Sequence, residues 1–187
     1  MSKRAKVDAS VPNAESLAER EQQVAHKGSP PVHLWNPPFC GDLDMQIRRD
    51  GTWFYEGTPI KRPELVRLFA SILKLEGENY FLVTPVEKVG LTVEDAPFVA
   101  IDFEALGDEL HFETNVGDRV VANADNPIRV EEDDVTGEPS PYIHIRRGLE
   151  ALIDRKSFYR LAEIGKLEGD QFVVRSAGET FVIGTSN

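Results

Sequence analysis

Two arginine pairs carry the most suggestive chemistry in this chain. Arg48-Arg49 stands just before Gly51, and Arg146-Arg147 stands just before Gly148. A guanidinium presents forked N–H donors to a carboxylate or phosphate, so four of them turned into one cleft would hold a small anion by bidentate hydrogen bonds. The competing reading is that each arginine neutralises a nearby acid, which is easy with 32 acidic and 21 basic residues. Cys40, beside Gly41 and Asp42, is the one thiol. Nucleophilic or redox chemistry there requires a cation, a helix N-terminus or a histidine base to lower its pKa. His33, His111 and His144 are present, but no spacing rule puts any of them beside Cys40. The ordinary alternative is a small buried cysteine at a turn.

Asp42 and Asp44 lie two apart on what reads as a strand, so both carboxylates face one side. An oxygen-rich metal site there would need Glu87, Asp95, His111 or Glu113 as well, and no diagnostic spacing links them. Paired acids on a solvated face are routine, so neither a metal nor a cofactor is expected. The run Glu131-Glu132-Asp133-Asp134 lacks the alternating ligands and distal glutamate of a calcium loop and reads as a solvated turn. Trp53 and Tyr55 share one strand face and Phe54 takes the other, which offers a pocket wall or core. Lys88 is expected to pair with Glu94 or Asp95. No phosphate loop, nucleophile elbow, H-E-x-x-H or dinucleotide glycine motif occurs. The ligand-binding candidates are Arg48, Arg49, His144, Arg146, Arg147, Asp42, Asp44, Cys40 and Trp53; no catalytic residue is assigned.

The elements that must position these residues come in two copies. Lys74-Leu75-Glu76-Gly77 recurs as Lys166-Leu167-Glu168-Gly169, a shift of 92 positions. The same shift sets Phe69 on Leu161, Ile72 on Ile164, and Tyr80-Phe81-Leu82 on Phe172-Val173-Val174. Two copies make a duplicated supersecondary unit, not a solenoid. In each, the pattern predicts a helix ending at a glycine and feeding a strand: Pro63 to a C′ glycine at Gly77, then Arg155 to Glu168. Alternating Leu43, Met45 and Ile47 predict a half-buried strand over 42–48, and Asp50-Gly51 predicts a hairpin to Thr52–Glu56. Further short strands are expected between the helices and after the second. The fold class is α+β: two related, mostly antiparallel sheet-plus-helix lobes, at 32–103 and 104–187, preceded by a flexible arm at 1–31. Within the arm, a short helix capped by Asn13 has only Leu17 and Val24 as strong apolar residues.

A formal charge of −11 disfavours nucleic acid and anionic membrane as partners. No stretch approaches the roughly 18 apolar residues of a span. No apolar run follows Lys3, Arg4 and Lys6, as a secretory signal would require. A cytoplasmic location is expected, with a small anionic ligand, a protein or a second copy of the chain as partner.

Five blocks taken in order resemble a known family. They are Trp35-Asn36-Pro37-Pro38-Phe39-Cys40-Gly41-Asp42, then 50–60 from Asp50-Gly51-Thr52-Trp53, then Leu82-Val83-Thr84-Pro85-Val86-Glu87-Lys88, then Val93-Glu94-Asp95-Ala96-Pro97-Phe98, and 141–152 from Pro141-Tyr142-Ile143-His144. From Trp35 onward the chain resembles the bacterial domain-of-unknown-function family numbered 1285. The resemblance implies two related α+β motifs, each a bent sheet with a helix, the second similar to a pleckstrin-homology-like half-barrel. It implies no reaction and no catalytic residues. The reading is a ligand- or protein-binding module in bacterial signal transduction; the alternative is a small enzyme with its site between the lobes.

Overall fold

The computed structural model describes residues 13–23 and 29–186. The alternation read in the first strand forms β1 (Phe39–Ile47), which buries Met45 and Ile47 and leaves Asp42 and Asp44 exposed. β2 (Trp53–Tyr55) returns antiparallel and β3 (Thr58–Pro59) follows it. Gly51, at the tip of this hairpin, has φ +86°, and a Cβ there would lie 2.6 Å from the Asn115 side-chain nitrogen. Glycine therefore serves both the turn and the close approach of the second lobe.

α2 (Pro63–Ser71) starts at Pro63 and buries Phe69 and Ala70. It ends six residues before Gly77. The repeated tetrapeptide is instead a strand and a turn: β4 (Leu73–Glu76) pairs with β5 (Asn79–Val83), and Gly77 takes φ +62° between them. The second copy corrects in the same way. α3 (Arg155–Ile164) gives way to β13 (Lys166–Glu168), which pairs with β14 (Gln171–Ser176) around Gly169 at φ +64°. Pairing with the next strand satisfies the backbone groups that another helical turn would have used. It also points Leu73 into the core.

β6 (Lys88–Val93) completes a sheet in the order β3-β2-β1-β6-β5-β4, with β1 and β6 parallel. A second six-stranded sheet contains β7 (Phe98–Leu106), β8 (Glu109–Thr114), β9 (Arg119–Val121), β10 (Ile128–Glu132), β11 (Pro139–Arg146) and β12 (Leu149–Ile153). Its order is β10-β11-β12-β7-β8-β9. β13, β14 and β15 (Glu179–Thr185) form a third sheet. The duplication is therefore longer than the sequence match: β1-β2-β3-α2-β4-β5-β6 is matched by β10-β11-β12-α3-β13-β14-β15. Even the register carries over, since Phe81 faces Gly90 as Val173 faces Val182. The copies differ at their seam. β1 and β6 share a parallel ladder, whereas β10 and β15 run side by side without one.

α1 (Ala14–Gln23) is capped by Asn13, whose side-chain oxygen accepts the Ser16 N–H at 2.8 Å. Leu17 is fully buried, and Arg20 reaches Glu87 at 3.1 Å, so this helix packs on the first lobe. The rest of the arm up to residue 12, and Val24 with its neighbours to Gly28, lie outside the described residues. Among those described, no helix is long and apolar enough to cross a membrane.

Candidate functional site

The α+β lobes meet along a charged and aromatic boundary. Arg49, at the end of the β1 hairpin, points across it. Its guanidinium lies 2.8 Å from Asp95 and donates to the Ser140 hydroxyl at 3.0 Å, while its backbone N–H donates to Glu94 at 2.8 Å. Asp95 also accepts the Tyr142 hydroxyl at 2.8 Å. Arg129 lies over the Tyr142 ring, 4.5 Å from its centroid, and forks onto both oxygens of Glu150 at 2.7 and 2.6 Å. Burial, and then the bond to Asp95, push the Tyr142 phenol up to about 12. Burial, Glu150 and Asp95 raise Tyr80 as well.

Beside this network opens a cleft of about 630 Å³. Arg49 reaches it from the first lobe. The second lobe supplies Pro139, Ser140 and Pro141 at the start of β11, Leu152 to Arg155 where β12 enters α3, and Phe158 and Tyr159 on α3. Asp154 caps α3, accepting the Ser157 N–H at 2.8 Å. Arg155 pairs with Glu138 at 2.7 Å. Asp133 accepts N–H bonds from Thr136 and Val135, which hold its carboxyl below the usual range. The cleft thus has fixed polar ends and an apolar wall that includes Tyr159, 60% exposed.

Of the residues nominated from sequence, Arg49 alone lines this cleft. Arg48 stacks on Phe54, 3.8 Å from the ring centroid. Arg146 bonds Asp118 at 2.5 Å and the Ala70 carbonyl at 2.8 Å, and lies over Phe98. Arg147 is exposed in a left-handed turn at φ +49°. The four guanidiniums are distributed among different partners rather than gathered. His144 bridges the Asp125 carbonyl and the Gly148 N–H, each at 2.9 Å. Trp53 is core, stacked on Phe69. Cys40 is exposed on β1, not buried at a turn, and donates to the Pro38 carbonyl. Lys88 pairs with Glu76 at 2.9 Å rather than with Glu94 or Asp95, which Arg49 has engaged. Among the described residues no three His, Cys, Asp or Glu side chains are grouped to hold a metal. Ser140, Tyr142 and Tyr159 were not singled out as site residues, and Asp95 was weighed only as a metal ligand and as a partner for Lys88; only the Asp154-x-x-Ser157 capping pattern gave a local signal.

Comparison with known proteins places the chain. Residues 30–96 match the family model described as "Domain of unknown function (DUF1285), N-terminal domain", and residues 97–183 match "Protein of unknown function (DUF1285), C-terminal domain". The chain belongs to the DUF1285 family. It is similar to the crystal structure of a DUF1285 family protein from Silicibacter pomeroyi DSS-3, with 58% identity and a TM-score of 0.84 over 90% of this chain and 94% of that one. It is also similar to a DUF1285 family protein from Shewanella baltica OS155, with 34% identity and a TM-score of 0.54 over 65% of this chain and 91% of that one. No curated protein matches. The family boundary between residues 96 and 97 falls beside Asp95, so the Arg49–Asp95–Tyr142 network joins the two family domains.

Proposed function

We propose that this protein is a binding module whose ligand enters the cleft of the C-terminal family domain that Arg49 of the N-terminal domain borders. The observation that carries this reading is the cleft itself: about 630 Å³, walled by Pro139, Pro141, Leu152, Phe158 and Tyr159, with Arg49 and Ser140 at one end. That volume and mix of apolar wall and few fixed polar groups suit a small molecule or a short peptide segment. Arg49, engaged by Asp95 and Ser140, has further N–H donors for a carboxylate or phosphate end on the ligand, while Asp133, Glu138 and Asp154 line the same cleft.

Binding is preferred to catalysis because the polar groups of the cleft are each held by a structural partner: Arg49 by Asp95 and Ser140, Arg155 by Glu138, and Asp154 by the Ser157 N–H. A cytoplasmic sensing role in bacterial signal transduction is the wider form of this reading. It rests on the likeness of the second lobe to pleckstrin-homology-like barrels, which is an analogy of fold.

The test is a thermal-shift screen against nucleotides, phosphorylated metabolites, acyl carriers, small carboxylates and divalent metals. A ligand at 100 times its Kd adds roughly 2.7 kcal/mol. A carboxylate or phosphate hit is expected to lose its shift in Tyr159→Ala, an exposed position, and in Arg49→Ala. A hit untouched by both substitutions would place its site elsewhere and overturn the cleft reading.

A further inference from the structure

A separate basin opens on the first sheet where β1, β5 and β6 lie side by side. Gly90 sits mid-strand in β6 between Phe81 on β5 and Asp42 on β1. A Cβ at Gly90 would come within 2.0 Å of the Asp42 carboxylate oxygen, so the carboxylate occupies space that only glycine leaves. The duplicated position bears this out by contrast. Val182 stands there opposite Val173, 39% exposed, with a side chain where the first copy has none.

Two phenyl rings stand beside Gly90 and the Asp42 carboxylate that fills its side-chain space. Phe39, 54% exposed, meets Phe81 edge to face, with centroids 6.0 Å apart and planes at 82°. The resulting basin is about 270 Å³. The Asp42 carboxylate has no hydrogen-bond or ion-pair partner among the described residues, the residue's only ladder contact being through the backbone to β6. Lys88 lines the same basin, but its ammonium is held 2.9 Å from Glu76 and 4.7 Å from the Phe81 centroid. The one anion in the basin is therefore unpaired beside two aromatic rings.

We propose that this basin seats an alkylammonium group, held by the Asp42 carboxylate and the exposed Phe39 ring, with Phe81, which already carries the Lys88 ammonium, as the wall behind them. A charge-assisted N–H···O bond and cation–π attraction act together on such a group. The net charge of −11 draws cations toward the protein as a whole. Lys88 works against the incoming charge, so it sets an upper limit on affinity.

The experiment is an amide-resolved NMR titration of the full chain with n-butylammonium chloride at constant ionic strength, with n-butanol as the uncharged control. Saturable shifts at Gly90, Asp42 and Phe81 are expected, at least tenfold weaker in Asp42→Asn and in Phe39→Leu, and tighter in Lys88→Met. A parallel titration with a blocked Gly-Lys-Gly peptide separates the sources. Tighter binding of the peptide assigns the seat to a partner's lysine; equal or weaker binding assigns it to a free amine. Identical shifts with butanol, a linear response to butylammonium, or unchanged binding in Asp42→Asn would overturn the proposal.

Discussion

The two copies of the β-β-β-α-β-β-β unit share one plan and close differently. In the first, β1 and β6 are joined by a parallel ladder, so one sheet of six strands runs from β3 to β4. In the second, β10 and β15 lie together without a ladder, and a cleft of about 430 Å³ lined by Val130, Glu132, Val182, Gly184 and Thr185 marks the seam. The second copy has instead gained β7, β8 and β9 beside β12. The tetrapeptide Lys-Leu-Glu-Gly makes the same strand and left-handed turn in both. Its surroundings do not match: Lys74, Leu75 and Glu76 are half-buried, whereas Lys166, Leu167 and Glu168 are exposed. Local sequence sets the hairpin, and the partner strand decides how deeply it is held.

The largest effect should come from the matched core positions. Phe69 and Leu161 are both fully buried and correspond across the shift. Phe69→Ala should cost about 3–5 kcal/mol and Leu161→Ala about 2–5 kcal/mol, measured by urea unfolding. Because one buried cluster spans both lobes, each variant should still unfold in a single transition. A biphasic curve would separate the lobes and break the comparison.

Gly90 and Val182 sharpen it. Gly90→Val forces a side chain onto Asp42 and should cost about 1–3 kcal/mol. Adding Asp42→Ala should recover part of that loss in a double-mutant cycle. Val182→Gly, where no carboxylate waits, should cost about 0.5–1 kcal/mol.

The helices differ at their first residues. Asp154 caps α3, so Asp154→Ala should cost about 1 kcal/mol. Arg62 stands at the start of α2 without a side-chain cap, so Arg62→Asp should instead raise the melting temperature.

The smallest effects are electrostatic. Tyr142 has its folded pKa raised to about 12 against roughly 10 unfolded, so its contribution is whole below about pH 10 and is lost as pH rises toward 12. Tyr142→Phe should flatten stability in that window, and the phenol should ionise late by ultraviolet absorbance. Lys88 first, and then Lys74, lower the pKa of Glu76. Its contribution is present above the unfolded carboxylate value and disappears as pH falls through the folded one.

Much of this was legible in the residues. The β1 alternation, the Asp50-Gly51 hairpin, the proline start of α2 and the duplication all rest on short-range rules. The helix ends were misread because Leu73 and Leu75 fit a helical stripe and a two-residue alternation equally well, and only pairing with Leu82 and Tyr80 decides between them. The Arg49–Asp95–Tyr142 network joins residues 46 and 47 positions apart, beyond any local pattern. Spacing placed the arginine pairs before their glycines but not the partners each one met. Gly90 carries no local signal, and the space it leaves appears only when Asp42 is set beside it.

Mapping where a ligand from the screen binds, by amide shifts across the whole chain, tests the central claim most directly. The account predicts saturable shifts centred on Ser140, Ile153, Asp154 and Tyr159, lost in Tyr159→Ala with the rest of the spectrum unchanged. Shifts confined to the β10–β15 seam, with the cleft residues still, would contradict it.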